Sequence, residues 1–355
     1  METCYTMNTS LPNEQRDNRQ VAYWLLAVAA LIFAMVVLGG VTRLTHSGLS
    51  MVEWEPIMGA IPPLSEQEWE ESLEIYRSSP EYQKKNKGMS VDEYKSIFWF
   101  EYSHRLLGRL IGLAFLLPFL YFLVRGKIRR RQIPTFITMF ILGGMQGLLG
   151  WYMVKSGLVN IPQVSQYRLT AHLIAAITIY VFILWVALGL LRSSAMEVRD
   201  HALRGLKRHG QFTTAMIILM IISGGFVAGT KAGFVFNTFP MMDGQWLPPG
   251  GMALQPWWLN LFENLATVQF SHRVLAIVVT ITVFTYALRG WRSNTITDAT
   301  YFTFTMLFMM LLIQLGLGIS TLVYVVPVAL GAAHQAGALL LLTIAVVLNH
   351  RLRAH

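Results

Sequence analysis

The chain has 355 residues, of which 54% are hydrophobic and only 13% charged, whereas a soluble domain carries about 25% charged residues. That shortfall excludes a disordered tail and argues against a water-soluble globule, and the single cysteine, Cys4, excludes an intrachain disulfide, a multi-cysteine zinc site and a thiolate-ligated iron–sulfur cluster. The net charge of +9 would suit nucleic acid, but the cations stand in short segments between apolar runs, which points to membrane orientation and to no nucleic-acid partner.

A membrane span needs about 20 mostly apolar residues. After a polar tail, 1–20, the first such run is 21–41; it is longer than a signal-peptide core and lacks a small-residue cleavage site, so it reads as helix one. A long polar segment, 43–96, follows, in which Glu66, Glu68, Glu70, Glu71 and Glu74 predict a solvated amphipathic helix. Further spans are predicted at 97–124, 133–154, 167–191 and 212–228. A Gly-, Pro- and Trp-rich segment, 231–266, reads as an ordered cap. The last three spans are 267–288, 301–323 and 325–348, the final two separated almost only by Pro327.

Basic residues alternate between the connections. Arg125, Lys127, Arg129, Arg130 and Arg131 lie between spans two and three, Arg192, Arg199, Arg204, Lys207 and Arg208 between four and five, Arg289 and Arg292 between six and seven, and Arg351 and Arg353 after eight. The intervening short loops carry Lys155 alone or no cation. The positive-inside rule then places both termini in the cytoplasm and the two long segments outside.

The chain also repeats itself. Gly39-Gly40 at the end of span one is matched by Gly224-Gly225 at the end of span five, and Pro56-Ile-Met58 and Pro62-Pro63 by Pro240-Met-Met242 and Pro248-Pro249. Phe100-Glu-Tyr-Ser-His104-Arg105 is matched by Val268-Gln-Phe-Ser-His272-Arg273, Gln146 by Gln314, and Ala171-His172 by Ala333-His334. Four helices per unit is an even number, so both units keep one orientation about an axis along the membrane normal. The expected architecture is an all-α polytopic membrane protein of eight transmembrane helices in two pseudo-symmetric four-helix bundles: 21–191 and 211–350, joined by a cytoplasmic linker, 192–210.

Four of the nine histidines lie inside spans: His104, His172, His272 and His334. Each follows the outer start of its span by five to nine residues, about 10 Å at 1.5 Å per residue. Ionisable side chains within a bilayer are costly and mark function. Two imidazoles facing each other across a four-helix bundle suit the two axial positions of a haem; zinc would lack further donors. Haem propionates need cations, for which Arg105, Arg273, Arg168, Arg43, His46 and Lys231 are the candidates at the outer mouths, although Arg105 and Arg273 also have the depth from which arginine reaches the interface.

The repeat breaks at one place. Three residues before His104 stands Glu101, and three before His272 stands Gln269. At that spacing the carboxylate shares the histidine's helix face. It can serve proton transfer or stabilise a developing cation, or it can simply pair with Arg105 one turn on; both readings stay open.

Gly39-Gly-Val-Thr-Arg-Leu-Thr-His-Ser-Gly-Leu-Ser50, Glu101-Tyr-Ser-His-Arg105, Gly229-Thr-Lys-Ala-Gly233, Phe270-Ser-His-Arg273 and Ala332-Ala-His-Gln335 together resemble the haem A synthase family, in the form found in alphaproteobacteria and mitochondria. The resemblance runs from about Leu38 to Leu342. It implies oxidation of the C8 methyl of haem O to a formyl group, giving haem A for cytochrome c oxidase. It implies that His104 and His172 hold the substrate haem, that His272 and His334 hold a haem b cofactor with Arg273 beside it, and that Glu101 is catalytic. Some bacterial members carry a cysteine pair in the first external loop; here 43–96 has no cysteine. The first 20 residues are not an Arg-rich amphipathic transit peptide, so a bacterial inner membrane is expected. Expected partners are haem O, a haem O synthase, an electron donor, the lipid bilayer and a second copy of the chain. The alternatives are a non-catalytic dihaem cytochrome b, which the same four histidines would serve, and a secondary transporter, whose mark would be helices broken at the bilayer centre.

Overall fold

The computed structural model describes residues 10–52, 59, 61–157, 162–192 and 201–353. Cys4, Arg199 and the Pro56-Ile-Met58 motif lie outside the described residues. Eleven α-helices are described: α1 Ser10–Leu44, α2 Glu66–Arg77, α3 Pro80–Lys84, α4 Val91–Val124, α5 Ile133–Gly157, α6 Gln166–Leu191, α7 His201–Thr230, α8 Asn260–Glu263, α9 Leu265–Trp291, α10 Asp298–Val323 and α11 Val328–Arg351. All except α2, α3 and α8 are long and apolar enough to cross a membrane. Among the described residues the β-structure is one isolated bridge, Met242 to Gln245.

The expected spans are all present, and the helices outrun them where polar residues continue the helix into water. Helix α1 begins at Ser10 and α7 at His201, each about ten residues before its apolar run. Helix α4 begins at Val91 because Ser90 and Glu93 form a capping box, which satisfies the orphan amides of the first turn. Its first two turns therefore stand outside the apolar layer. His104 lies thirteen residues into its helix, whereas His172, His272 and His334 lie six or seven into theirs. The last span starts at Val328 and not at 325: Val325 and Val326 take positive φ, 61° and 55°, and Pro327 precedes the first helical residue. Positive φ is costly for β-branched residues, so the two valines are held there by the reversal between α10 and α11.

The Glu-rich helix α2 is not merely solvated. Ser65 and Glu68 cap it, and Trp69, Leu73 and Tyr76, spaced one turn apart, are buried. They pack with Tyr82 and with Tyr94, Phe98 and Tyr102 from the outer turns of α4 into an aromatic cluster. Burial of such rings is the principal attraction holding this cap to the bundle.

Helices α1, α4, α5 and α6 form one ring, and α7, α9, α10 and α11 another, with neighbours packed in those orders. The rings meet where α1 packs on α11, α6 on α7, and α6 on α11. Exchanging α1 with α7 and α6 with α11 maps this seam onto itself, as a twofold relation between the halves requires. One apolar core, from Val21 to Leu352, runs through both rings.

Candidate functional site

Each histidine stands on a helix diagonal to its partner's. His104 on α4 faces across to α6, which carries His172, with α1 and α5 between them; His272 on α9 and His334 on α11 are placed alike around α7 and α10. A glycine of an intervening helix meets each ring. A Cβ on Gly39 would come within 3.1 Å of His104 Nε2, one on Gly150 within 3.1 Å of His172 Cε1, one on Gly224 within 3.4 Å of His272 Cε1 and one on Gly318 within 2.8 Å of His334 Cε1. Any larger residue at Gly318 would force that ring to move. Gln146 and Gln314 brace the inner helices by donating to the carbonyls of His172 and His334, both at 2.9 Å. These two glutamines were visible as a repeat; their work on the histidine backbone was not.

The two pairs differ at Nδ1. Ser223 Oγ lies 3.1 Å from His272 Nδ1, and Gln314 Nε2 lies 3.1 Å from His334 Nδ1. In the register of the glycine pairs, Ser223 corresponds to Leu38, an apolar residue. His172 Nδ1 is buried without a hydrogen-bond partner. Hydrogen bonding at one ring nitrogen fixes which nitrogen is free to ligate.

Among the described residues no group of three or more His, Cys, Asp or Glu could hold a metal ion. A bare ion has too few donors in either bundle, while a haem needs two. Glycine surfaces around the rings add to that fit: Gly112, Gly143 and Gly147 have no neighbour within 4 Å of an added Cβ.

Glu101 is buried at 3% exposure and fully engaged. One oxygen accepts Ser50 Oγ–H at 2.8 Å and the Met51 amide at 2.9 Å; the other accepts Arg105, at 2.5 and 3.1 Å. Arg105 also donates to the Met51 carbonyl at 2.6 Å. The carboxylate thus both pairs with Arg105 and clasps the loop after α1. Gln269 does the corresponding work with an amide: it donates to the carbonyls of Ala232, at 2.8 Å, and Val235, and accepts from Arg273 at 3.0 Å. Arg273 in turn donates to the carbonyls of Phe236, Pro240 and Met241. Ser50 and Met51 lie too far from Glu101 in sequence to be read as its partners.

Of the six expected mouth cations, three converge. Arg43, at the end of α1, donates to the Ala228 and Gly229 carbonyls of α7, both at 3.3 Å. His46 and Lys231 are equivalent in the repeat and share a left-handed backbone, φ 57° and 64°. Lys85, which the sequence did not single out, joins them and bonds the Pro162 carbonyl. Burial, then Lys231, Arg43 and Lys85, hold the His46 imidazole below its ordinary value. Burial, Arg43 and Lys85 likewise lower Lys231, against the pull of Glu81. Glu81, 4% exposed, accepts from Tyr76 at 3.2 Å and is pushed up to about 7 by burial, with nearby Glu101 adding and Lys85, Tyr76 and Lys231 opposing. Arg168 lies elsewhere, 5.0 Å over the Tyr152 ring.

Residues 22–346 match the COX15-CtaA family, described as cytochrome oxidase assembly protein. The chain is 52% identical over 335 residues to a heme A synthase of Nitrosospira multiformis, covering 94% of each chain. It is 48% identical over 331 residues to one of Nitrosomonas eutropha, covering 93% of each, and 46% identical over 336 residues to one of Parvibaculum lavamentivorans, covering 95% of each.

Proposed function

The chain belongs to the COX15-CtaA family, and from that membership we propose that this multi-pass membrane protein is a haem-dependent oxidoreductase that converts haem O to haem A, oxidising the C8 methyl to a formyl group. The observation that carries the reading is the doubled pair of imidazoles on diagonal helices, each resting on a glycine.

We assign the substrate to the first bundle, 21–191, with His104 and His172 on its iron, and a haem b cofactor to the second, 211–350, with His272 and His334 as ligands. When bound, haem b supplies a one-electron redox centre. Ser223 and Gln314 orient the ligands of that resident group, whereas the unpartnered His172 Nδ1 suits a ligand whose haem must arrive and leave. Glu101, one turn before His104, places negative charge where positive charge develops, and takes a proton from the substrate by giving up one of its four hydrogen bonds. Arg43, Lys231 and Lys85 form the cationic mouth for propionates, and His46, held neutral among them, offers a ring N–H. Haem O arrives from a haem O synthase, an electron donor serves the second bundle, and the membrane is the bacterial inner membrane with both termini cytoplasmic.

The alternative of a non-catalytic dihaem cytochrome b makes a different prediction. Cells that make haem O but lack this activity should form haem A when the chain is supplied. His334→Leu should abolish the low-spin signature of the second bundle, while His104→Leu should retain it and lose haem A. Two identical haems b and no haem A in the wild type would defeat the proposal.

A further inference from the structure

The seam between α6 and α7 contains an apolar groove of about 380 Å³. Ile174, Ile177, Phe182 and Trp185 of α6 line it opposite Ile218 and Ile222 of α7. From Ile174 to Trp185 the helix rises about 16 Å at 1.5 Å per residue, which matches the roughly 15 Å of hydrocarbon in one leaflet. The groove starts just below the level of His172 and runs toward the membrane face opposite the cationic mouth, ending at Trp185, six residues before the end of α6.

Cations gather at its far end. The Arg353 guanidinium stands 5.8 Å from the centroid of Trp185, and His350 meets the same ring edge-on at 5.1 Å. Arg192, seven residues beyond Trp185, donates to the carbonyls of Arg353 at 3.0 Å and His350 at 3.5 Å. Among the described residues neither Arg192 nor Arg353 is in an ion pair. At the pseudo-equivalent seam, between α1 and α11, the larger Phe33 stands in the place of Ile218.

We propose that this groove binds an anionic phospholipid of the leaflet at the Arg192–Arg353 end. One acyl chain lies along Ile174 to Trp185, and the headgroup phosphate meets the two guanidiniums. An acyl chain matches the groove's length and apolar lining. Guanidinium is the side chain best suited to phosphate, which it binds in a forked geometry. A neutral isoprenoid would fill the groove and leave both cations unmatched. The site is independent of the haem assignments and shares no residue with them.

The test is native mass spectrometry of the full-length protein in detergent, with phosphatidylglycerol and phosphatidylethanolamine of equal chain length in competition. Phosphatidylglycerol should be retained over phosphatidylethanolamine by about 30-fold, as two nearby cations at about 1 kcal/mol each provide. Arg192→Gln with Arg353→Gln should abolish that preference. Ile218→Phe with Ile222→Phe should lower retention of both lipids by filling the groove. Equal retention by the wild type, or a preference that survives loss of both arginines, would overturn the site. If the variants fail to fold, the wild-type competition alone decides it.

Discussion

Glu101 and Gln269 occupy equivalent places in the two halves and hold the loop above them in opposite hydrogen-bonding senses. Glu101 accepts from Ser50 and Met51, while Gln269 donates to Ala232 and Val235. An amide at 101 would set a donor against donors on one side or the other, a buried mismatch costing about 1–3 kcal/mol. Glu101→Gln should lower conversion of haem O to haem A by about 10²-fold if the carboxylate does acid–base work. Ser50→Ala keeps the carboxylate and removes one of its anchors, so its loss should be much smaller. Gln269→Glu should also change turnover little. Haem extraction, resolving haem O, its hydroxylated product and haem A, reads all three. Equal losses in Glu101→Gln and Ser50→Ala would reduce Glu101 to a loop anchor.

Ser223 is a positioning residue for His272. Removing an outer-shell partner of a metal-bound histidine costs about 10–100-fold in affinity. Ser223→Ala should therefore release haem from the purified protein correspondingly faster and shift its low-spin spectrum, and Ser223→Thr should restore both. A purely structural role would leave the spectrum of the retained haem unmoved.

Glu81 confers a pH dependence on the external cap. Its folded value, about 7, is above its ordinary 4.5. The stability it contributes is therefore complete below about 4.5 and is lost as pH rises through 7. Lys85, Lys231, Tyr76 and Glu101 all face it and set the midpoint. Hydrogen exchange in α2 and α3, corrected for intrinsic rate, should accelerate between pH 5 and 8, each about one to two units from that midpoint. Glu81→Gln should flatten the profile. An unchanged slope would show that another group titrates.

Orientation is open to direct labelling. In a chain with Cys4 replaced, a cysteine at Ser65 should react with an impermeant reagent from outside, and one at Gln132 only after the membrane is opened. The reverse pattern would invert the arrangement and put the haem sites at the cytoplasmic face.

The spans were legible because about 20 apolar residues have few other uses, and the cations between them punctuate the chain. The capping box of Ser90 and Glu93 is a local signal too, but the span was read from 97, where the apolar run begins, and the early start of α4 was missed. What the sequence hides is contact made by folding. Trp69, Leu73 and Tyr76 look like one face of a solvated helix until the outer turns of α4 cover them. Lys85 is one lysine among several in a polar segment until folding sets it beside Arg43 and Lys231. The four histidines were found because doubling repeats a signal that would be weak alone.

Arg43 ends α1 of one half and bonds the last carbonyls of α7 in the other. Those carbonyls have no partner within their own helix, since the final turn never does. A second half made alone would lose their donor, and a first half made alone would keep a guanidinium with nothing to cap. This contact runs from the first half to the second, so one half carries the cap for the other's helix end.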